Sequence, residues 1–318
     1  MESFVFALNA TMPVFLVILV GWFLKRIGLL NEAFCKVGNQ YVFKVALPVS
    51  LFSSISTMDF YSDFHPMFCL YCFGVTVVMF LGVWALTWRF MREKTWIGAF
   101  AQASVRSSAA ILGVAFATNI YGDSGMVPMM ILAAVPFFNV FAVLILTFSP
   151  HADGTALSGD GGPVKKALIN VAKNPIILGI LLGLPFSLLR VQLPTMLTST
   201  ISMIGGTASP VALLVIGASF SGGEAMTRLK PAAWATVIKL VVLPLLFVPL
   251  AALLGFRGSE LVAVLIMVGS PTTVAAYVMA RNMHQDSVLT SNAIVLTTLF
   301  SSVTITMWVF ALRVFGLV

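Results

Sequence analysis

Apolar residues run almost unbroken along this chain, interrupted by short polar clusters. A helix needs about 20 mostly apolar residues to cross a bilayer. That yardstick marks about ten spans, roughly 4–24, 36–57, 64–89, 96–118, 124–148, 171–190, 195–220, 231–255, 259–280 and 288–313. The apolar runs are continuous rather than alternating, which excludes a membrane β-barrel. The first span carries Glu2 and no Lys or Arg at its leading end, and Lys25 and Arg26 follow the apolar stretch. A cleavable signal has the opposite polarity, so this span is expected to stay as a helix.

Composition agrees. Hydrophobic residues make up 59% of the chain and charged residues 9%, with a mean hydropathy of +1.03. Soluble domains carry about 25% charged residues. The chain therefore reads as an all-α integral membrane protein. Cys69 and Cys72 form a CxxC inside the third span, with no second pair and no histidine on a nearby loop, and Cys35 is alone. They read as packing residues, with no disulfide framework and no metal site.

The net charge of +7 does not point to nucleic acid, because of where the charges fall. Lys and Arg cluster after spans one, three, five, seven and nine: Lys25 and Arg26, Arg89 and Arg92, Lys165 and Lys166, Arg228 and Lys230, and Arg281. The opposite loops hold Asp59, Asp63, Asp123 and Glu260 against Arg190 and Arg257. The positive-inside rule puts the odd-numbered loops in the cytoplasm and both termini outside. The expected location is the cytoplasmic membrane.

The chain divides into residues 1–148, a linker over 149–170 and residues 171–318. The stretch "SPHADGTALSGDGGPVKK" at 149–166 is Gly- and Ser-rich and reads as a flexible cytoplasmic connection. The halves resemble each other. "ATMPVFLVILVG" (10–21) lies on "AKNPIILGILLG" (172–183), and "ALPVSLF" (46–52) on "ASPVALL" (208–214), both at an offset of 162. At an offset of 163, Asn119, Asp123 and Ser124 meet Asn282, Asp286 and Ser287. Five spans is an odd number, so the second copy starts on the other side of the membrane. Inverted repeats with interrupted helices point to secondary transporters, with the site at the repeat interface. Channels are also built from inverted repeats.

The interruptions are visible. "MVGSPTTVAAY" (267–277) puts Ser270, Pro271, Thr272 and Thr273 in the middle of span nine. Pro271 is equivalent to Ser108 at the offset of 163, in "ASVRSSAAILGV" of span four. Broken backbone at this depth survives only where it is buried in protein or lines a wet cavity. The plainer alternative is a proline kink whose freed carbonyls are bonded by Ser and Thr.

"LPVSLF", "VRSSAAILG", "KNP", "KLVVLPLL" and "GSPTTVAAYVMA" together resemble the auxin efflux carrier family, over nearly the whole chain. Its bacterial members include malonate, malate and other organic-acid permeases. The resemblance implies ten helices in two inverted five-helix repeats. It implies a scaffold domain and a transport domain, the latter holding broken crossover helices four and nine, and elevator-type alternating access. Span four departs from the family pattern. Ser108 stands where Asn is usual, and Gly113-Val114-Ala115 where Gly-Leu-Pro is usual.

Arg106 lies about ten residues, or roughly 15 Å, into span four. A cation at that depth marks a functional site by default, and its planar fork suits a carboxylate. The alternative is a structural Arg bonded to freed carbonyls. Lys239 sits about two turns into span eight, within snorkelling reach of the cytoplasmic face, and Lys44 is similar. All eleven acidic residues fall on loops or near span ends. A deep cation without a carboxylate favours an anionic substrate and argues against a membrane Asp or Glu as proton carrier. The candidate binding residues are Arg106, Ser107, Ser108, Ser270, Pro271, Thr272, Thr273, Asn139 and Asn292.

"GDGGPVKK" lacks the spacing of a phosphate-cradling loop, and no protease constellation is present. The expectation is a carrier of a small organic mono- or dicarboxylate, not an enzyme, with a passive anion channel as the alternative. No cofactor is expected. Sodium stays open as a coupling ion, since hydroxyls and unwound carbonyls can ligate it. The bilayer and the anion are the expected partners, and a homodimer is left open.

Overall fold

Asn31 starts the second apolar run as a helix. Its side-chain oxygen accepts the Phe34 N–H, and Glu32 follows in the first turn, where negative charge suits the helix dipole. Helix α1 (Glu32–Tyr41) passes through a π turn (Val42–Ala46) into α2 (Leu47–Ser56). The π turn has a cause in the sequence. Pro48 has no N–H for the Lys44 carbonyl, and its ring crowds that carbonyl, so the backbone widens. The same device recurs before Pro244, where a π turn (Ile238–Val242) joins α9 (Gly222–Val237) to α10 (Leu243–Leu253). The Leu240 carbonyl, which Pro244 cannot serve, accepts the Trp308 indole N–H at 3.1 Å.

The computed structural model describes residues 13, 16–57, 65–109, 117, 125–150, 173–219 and 222–318. The start of span one, Gly113 to Ala115, the Asn119–Ser124 repeat match and nearly all of the 149–170 linker lie outside the described residues. The remaining helices are α3 (Pro66–Phe90), α4 (Ile97–Val105), α5 (Val127–Phe148), α6 (Pro175–Leu188), α7 (Thr195–Gly206), α8 (Ala208–Ser219), α11 (Ser259–Gly269), α12 (Ala275–Asn282) and α13 (Ser287–Val314). No strand occurs among the described residues.

Of the ten expected spans, the described residues contain four helices that are long and apolar enough to cross a membrane unaided: Pro66–Phe90, Val127–Phe148, Thr195–Ala218 and Met226–Leu253. A fifth counts if Ser287–Ser301 and Val303–Val314, bent by 44°, form one span. Three of the others fall short for visible reasons. Spans four and nine are cut after Val105 and Gly269, and α6 is only 14 residues long. Apolar run length counts residues and does not register a break in the backbone.

The helices pack in two groups. The stretch 16–26 joins α1, α2, α6, α7 and α8, while α3, α4, α5 and α9 to α13 form the other group. The first group is held by close backbone approach at glycines. A Cβ on Gly217 would sit 2.0 Å from the Ile18 carbonyl oxygen, and one on Gly21 would sit 2.4 Å from that of Leu214. A Cβ on Gly179 would sit 2.5 Å from the Pro48 carbonyl oxygen. Between helices in lipid, such small-residue contacts supply the packing that a hydrophobic effect cannot. The second group is more deeply buried. Every residue from Leu261 to Gly269 on α11 is buried.

Gly217→Ala is therefore expected to cost about 3 kcal/mol or more, because the obstruction is backbone. Gly82→Ala, whose added Cβ meets nothing within 4 Å, is expected to be neutral or slightly stabilising. Thermal unfolding of the two purified variants checks the contrast.

Candidate functional site

Two helices stop in the middle of the second group, and their ends touch. Helix α4 ends at Val105, leaving residues 106–108 non-helical; α11 ends at Gly269, leaving residues 270–274 outside regular helix before α12 begins. Each break frees backbone groups that water cannot reach, so each must find a protein partner. They find each other. The Ser108 N–H donates to the Pro271 carbonyl at 2.9 Å. The Thr272 hydroxyl donates to the Ala103 carbonyl (2.7 Å), and the Ser107 hydroxyl to that of Ile266 (3.2 Å). The Ser107 and Ser270 hydroxyls are bonded to one another. Gln102 Nε2 reaches the Ala276 carbonyl (3.0 Å), and the Thr272 N–H donates to the Thr297 hydroxyl on α13 (3.0 Å).

This network bears on the sequence candidates. Ser107, Ser270 and Thr272 are buried, and their hydroxyls hold the two breaks together. Pro271 is buried and contributes its carbonyl. Ser108 and Thr273 are half-buried, beside the crossing. Asn292 is buried on α13, five residues before Thr297. Asn139 is brought straight to Arg106, although the two come from different spans.

Arg106 is 3% exposed. One guanidinium N–H₂ donates to Asn139 Oδ1 at 2.7 Å, and the Asn139 amide N–H₂ is turned to the Val135 carbonyl (3.0 Å). The other faces the Met279 thioether, a weak acceptor. Arg106 Nε is buried with no hydrogen-bond partner among the described residues. The fork is held in place on one side and left with unmet donor capacity on the other.

Lys239 corrects the sequence reading. Expected to snorkel, it is fully buried, and its ammonium donates to the carbonyls of Val268 (2.8 Å) and Val105 (3.2 Å). These are end carbonyls of α11 and α4. The π turn that carries Lys239 keeps it inside the group. Depth counted along a span cannot show this, but a Leu-Pro pair just after the lysine is a usable signal for the turn. Lys44, on the other π turn, is exposed, as expected. Gln102 and Met279 were also outside the sequence candidates, because neither residue type stands out in an apolar run.

Among the described residues the buried charged side chains are Arg106, Lys239 and Asp286, and Asp286 is paired with Arg228 at 2.6 Å. No carboxylate among the described residues lies within ion-pairing distance of either deep cation. A polar cavity of 480 Å³ opens among Ser53, Ser56, Arg190 and Thr198, and an apolar groove of 840 Å³ runs beside Trp96, Lys230 and Trp234. Neither is lined by Arg106. Thr272→Val is expected to lower stability by about 1–3 kcal/mol, since it strands the buried Ala103 carbonyl. The exposed Thr200, bonded within its own helix, is expected to tolerate Val, and melting temperatures of the two variants measure the difference.

A family model described as membrane transport protein matches residues 6–309. An uncharacterized transporter of Methanothermobacter thermautotrophicus is 24% identical over 305 residues, covering 94% of this chain and 96% of that protein. The uncharacterized transporter YfdV of Escherichia coli is 25% identical over 316 residues, covering 97% of this chain and 98% of its own length. The resemblance of the span-four and span-nine motifs thus extends along nearly the entire chain. The protein belongs to the membrane transport protein family, the auxin efflux carrier family of multi-pass membrane transporters.

Proposed function

We propose that this transporter is a carrier for a small organic anion, a mono- or dicarboxylate, and that Arg106 is the residue that receives it. One observation carries the proposal. Arg106 is buried, has no carboxylate partner among the described residues, and keeps an unpartnered Nε–H. An uncompensated buried charge costs several kcal/mol, and breaking one out of its partnership typically costs as much. A carboxylate seated on the fork would remove that cost with charge-assisted hydrogen bonds. The substrate would sit against Arg106 and Asn139 rather than between Ser107, Ser270 and Thr272, whose hydroxyls are engaged in the crossing.

The carrier reading is favoured over the channel by the enclosure of Arg106. A pore needs a continuous wet path, whereas alternating access closes the site from both sides in turn. The division of the helices into a glycine-locked group and a group holding both breaks suits an elevator. One group would stay fixed in the membrane, and the other would carry the site across it. The repeat pattern, with five spans per half, and the Lys and Arg bias of the odd-numbered loops support a ten-helix inverted arrangement in the cytoplasmic membrane, with both termini outside.

Purified Arg106→Ala is expected to lose measurable binding to every member of a panel of small mono- and dicarboxylates that binds the wild type. Arg106→Lys, which keeps charge but not the fork, is expected to recover little of it. Undiminished binding by folded Arg106→Ala would sink the proposal. In proteoliposomes the flux should saturate and be accelerated by anion on the far side; a linear, unaccelerated flux would mark a channel. A reporter fused after Val318 should read as outside the cytoplasm.

A further inference from the structure

The second deep cation has a different setting from the first. Arg106 meets an amide and a thioether. Lys239 meets two main-chain carbonyls, from the last turns of the two broken helices. A helix C-terminus carries about half a negative charge from its aligned peptide dipoles. Two such ends converging on one point make a cation site of roughly one negative charge, built from backbone alone. In transporters with broken helices, unwound carbonyls and half-helix C-terminal ends are where a coupling Na⁺ is held.

We infer that the Lys239 ammonium is the resident cation of this carbonyl site, a tethered ion standing where a soluble coupling ion would otherwise bind. The geometry suits an ammonium. Its N···O separations of 2.8 and 3.2 Å are hydrogen-bond distances. They are wider than the roughly 2.3–2.6 Å at which oxygens hold Ca²⁺. No carboxylate among the described residues pairs with Lys239, so the carbonyls are its counter-charge. Both faces of the crossing use it, since Val105 directly precedes Arg106 and Val268 lies two residues before Ser270. The ammonium therefore ties the two C-terminal ends together beside the Arg106 fork. If the carrier reading above holds, anion transport needs no Na⁺ at this crossing, because the ion is covalently supplied.

The test reads stability and ion identity, so it does not depend on knowing the transported anion or on Arg106 binding it. Full-length wild-type protein in detergent is unfolded thermally in NaCl, KCl and choline chloride at equal ionic strength. Its Tm is expected to agree across the three within about 1 °C, since a site already filled gains nothing by mass action. A Na⁺-specific rise in wild type would overturn the proposal, and this arm needs no variant. Lys239→Ala empties the site, and its Tm in choline chloride is expected to fall by about 5 °C or more. About 50 mM ammonium or methylammonium should then restore at least half of that loss, ahead of Na⁺, while leaving wild type unmoved. A merely structural lysine side chain would not be replaced by a free ion. If no cation restores Lys239→Ala beyond its effect on wild type, the proposal fails even though the Arg106 reading stands.

Discussion

A backbone that stops being helical inside an apolar medium has to hydrogen-bond to something, and here the something is another backbone that stops at the same place. Val105 and Gly269 end their helices against each other. The freed carbonyls of each are served by hydroxyls and N–H groups from the other break and by the Lys239 ammonium on the π turn after α9, while the Thr297 hydroxyl of α13 accepts the Thr272 N–H. Either break alone would leave several buried groups unmet, each costing a few kcal/mol. Together they satisfy one another, so the two spans are interdependent. The deep burial of α4 and α11 and the π turn that aims Lys239 serve this crossing.

The charges follow from it. The crossing brings two helix C-termini together, which attract a cation, and Lys239 is placed there. It also releases the chain at residue 106 into an extended conformation, which points Arg106 away from the helix end toward Asn139 on α5. One cation is neutralised by peptide dipoles, and the other is left without a counter-charge among the described residues. The proposed anion site rests on that asymmetry. The crossing also gives the hydroxyls a role unlike the one their position suggests, since Ser107, Ser270 and Thr272 hold the backbone while the guanidinium remains underused.

The two helix groups solve packing by different means. Around residues 16–26, α2, α6 and α8, glycines allow backbones to approach within distances that no Cβ could tolerate. Such a contact has little freedom to slide. The group around the crossing packs through bulky side chains and side chain-to-backbone bonds. A close-locked frame beside an internally bonded group is the division of labour that the proposed elevator movement requires.

Much of this was legible in the sequence because lipid leaves few options. Long apolar runs with the charges expelled to their ends mean membrane helices, and "GSPTT" or "VRSSAA" inside such a run means a break that protein must bury. Arg106 was recognisable since nothing but function or internal bonding keeps a guanidinium at that depth. What each side chain touches was decided only by the tertiary structure. Lys239 read as a snorkelling residue because depth along a helix says nothing of which way a π turn faces. Asn139 and Asn292 were equal candidates until the packing of α5 put Asn139 Oδ1 at 2.7 Å from the guanidinium. The sequence alone determined that this chain must cross lipid and break its helices there. Hydrogen bonds between spans, several of which join residues 134 to 174 positions apart, decided which groups the break uses up and which it leaves free.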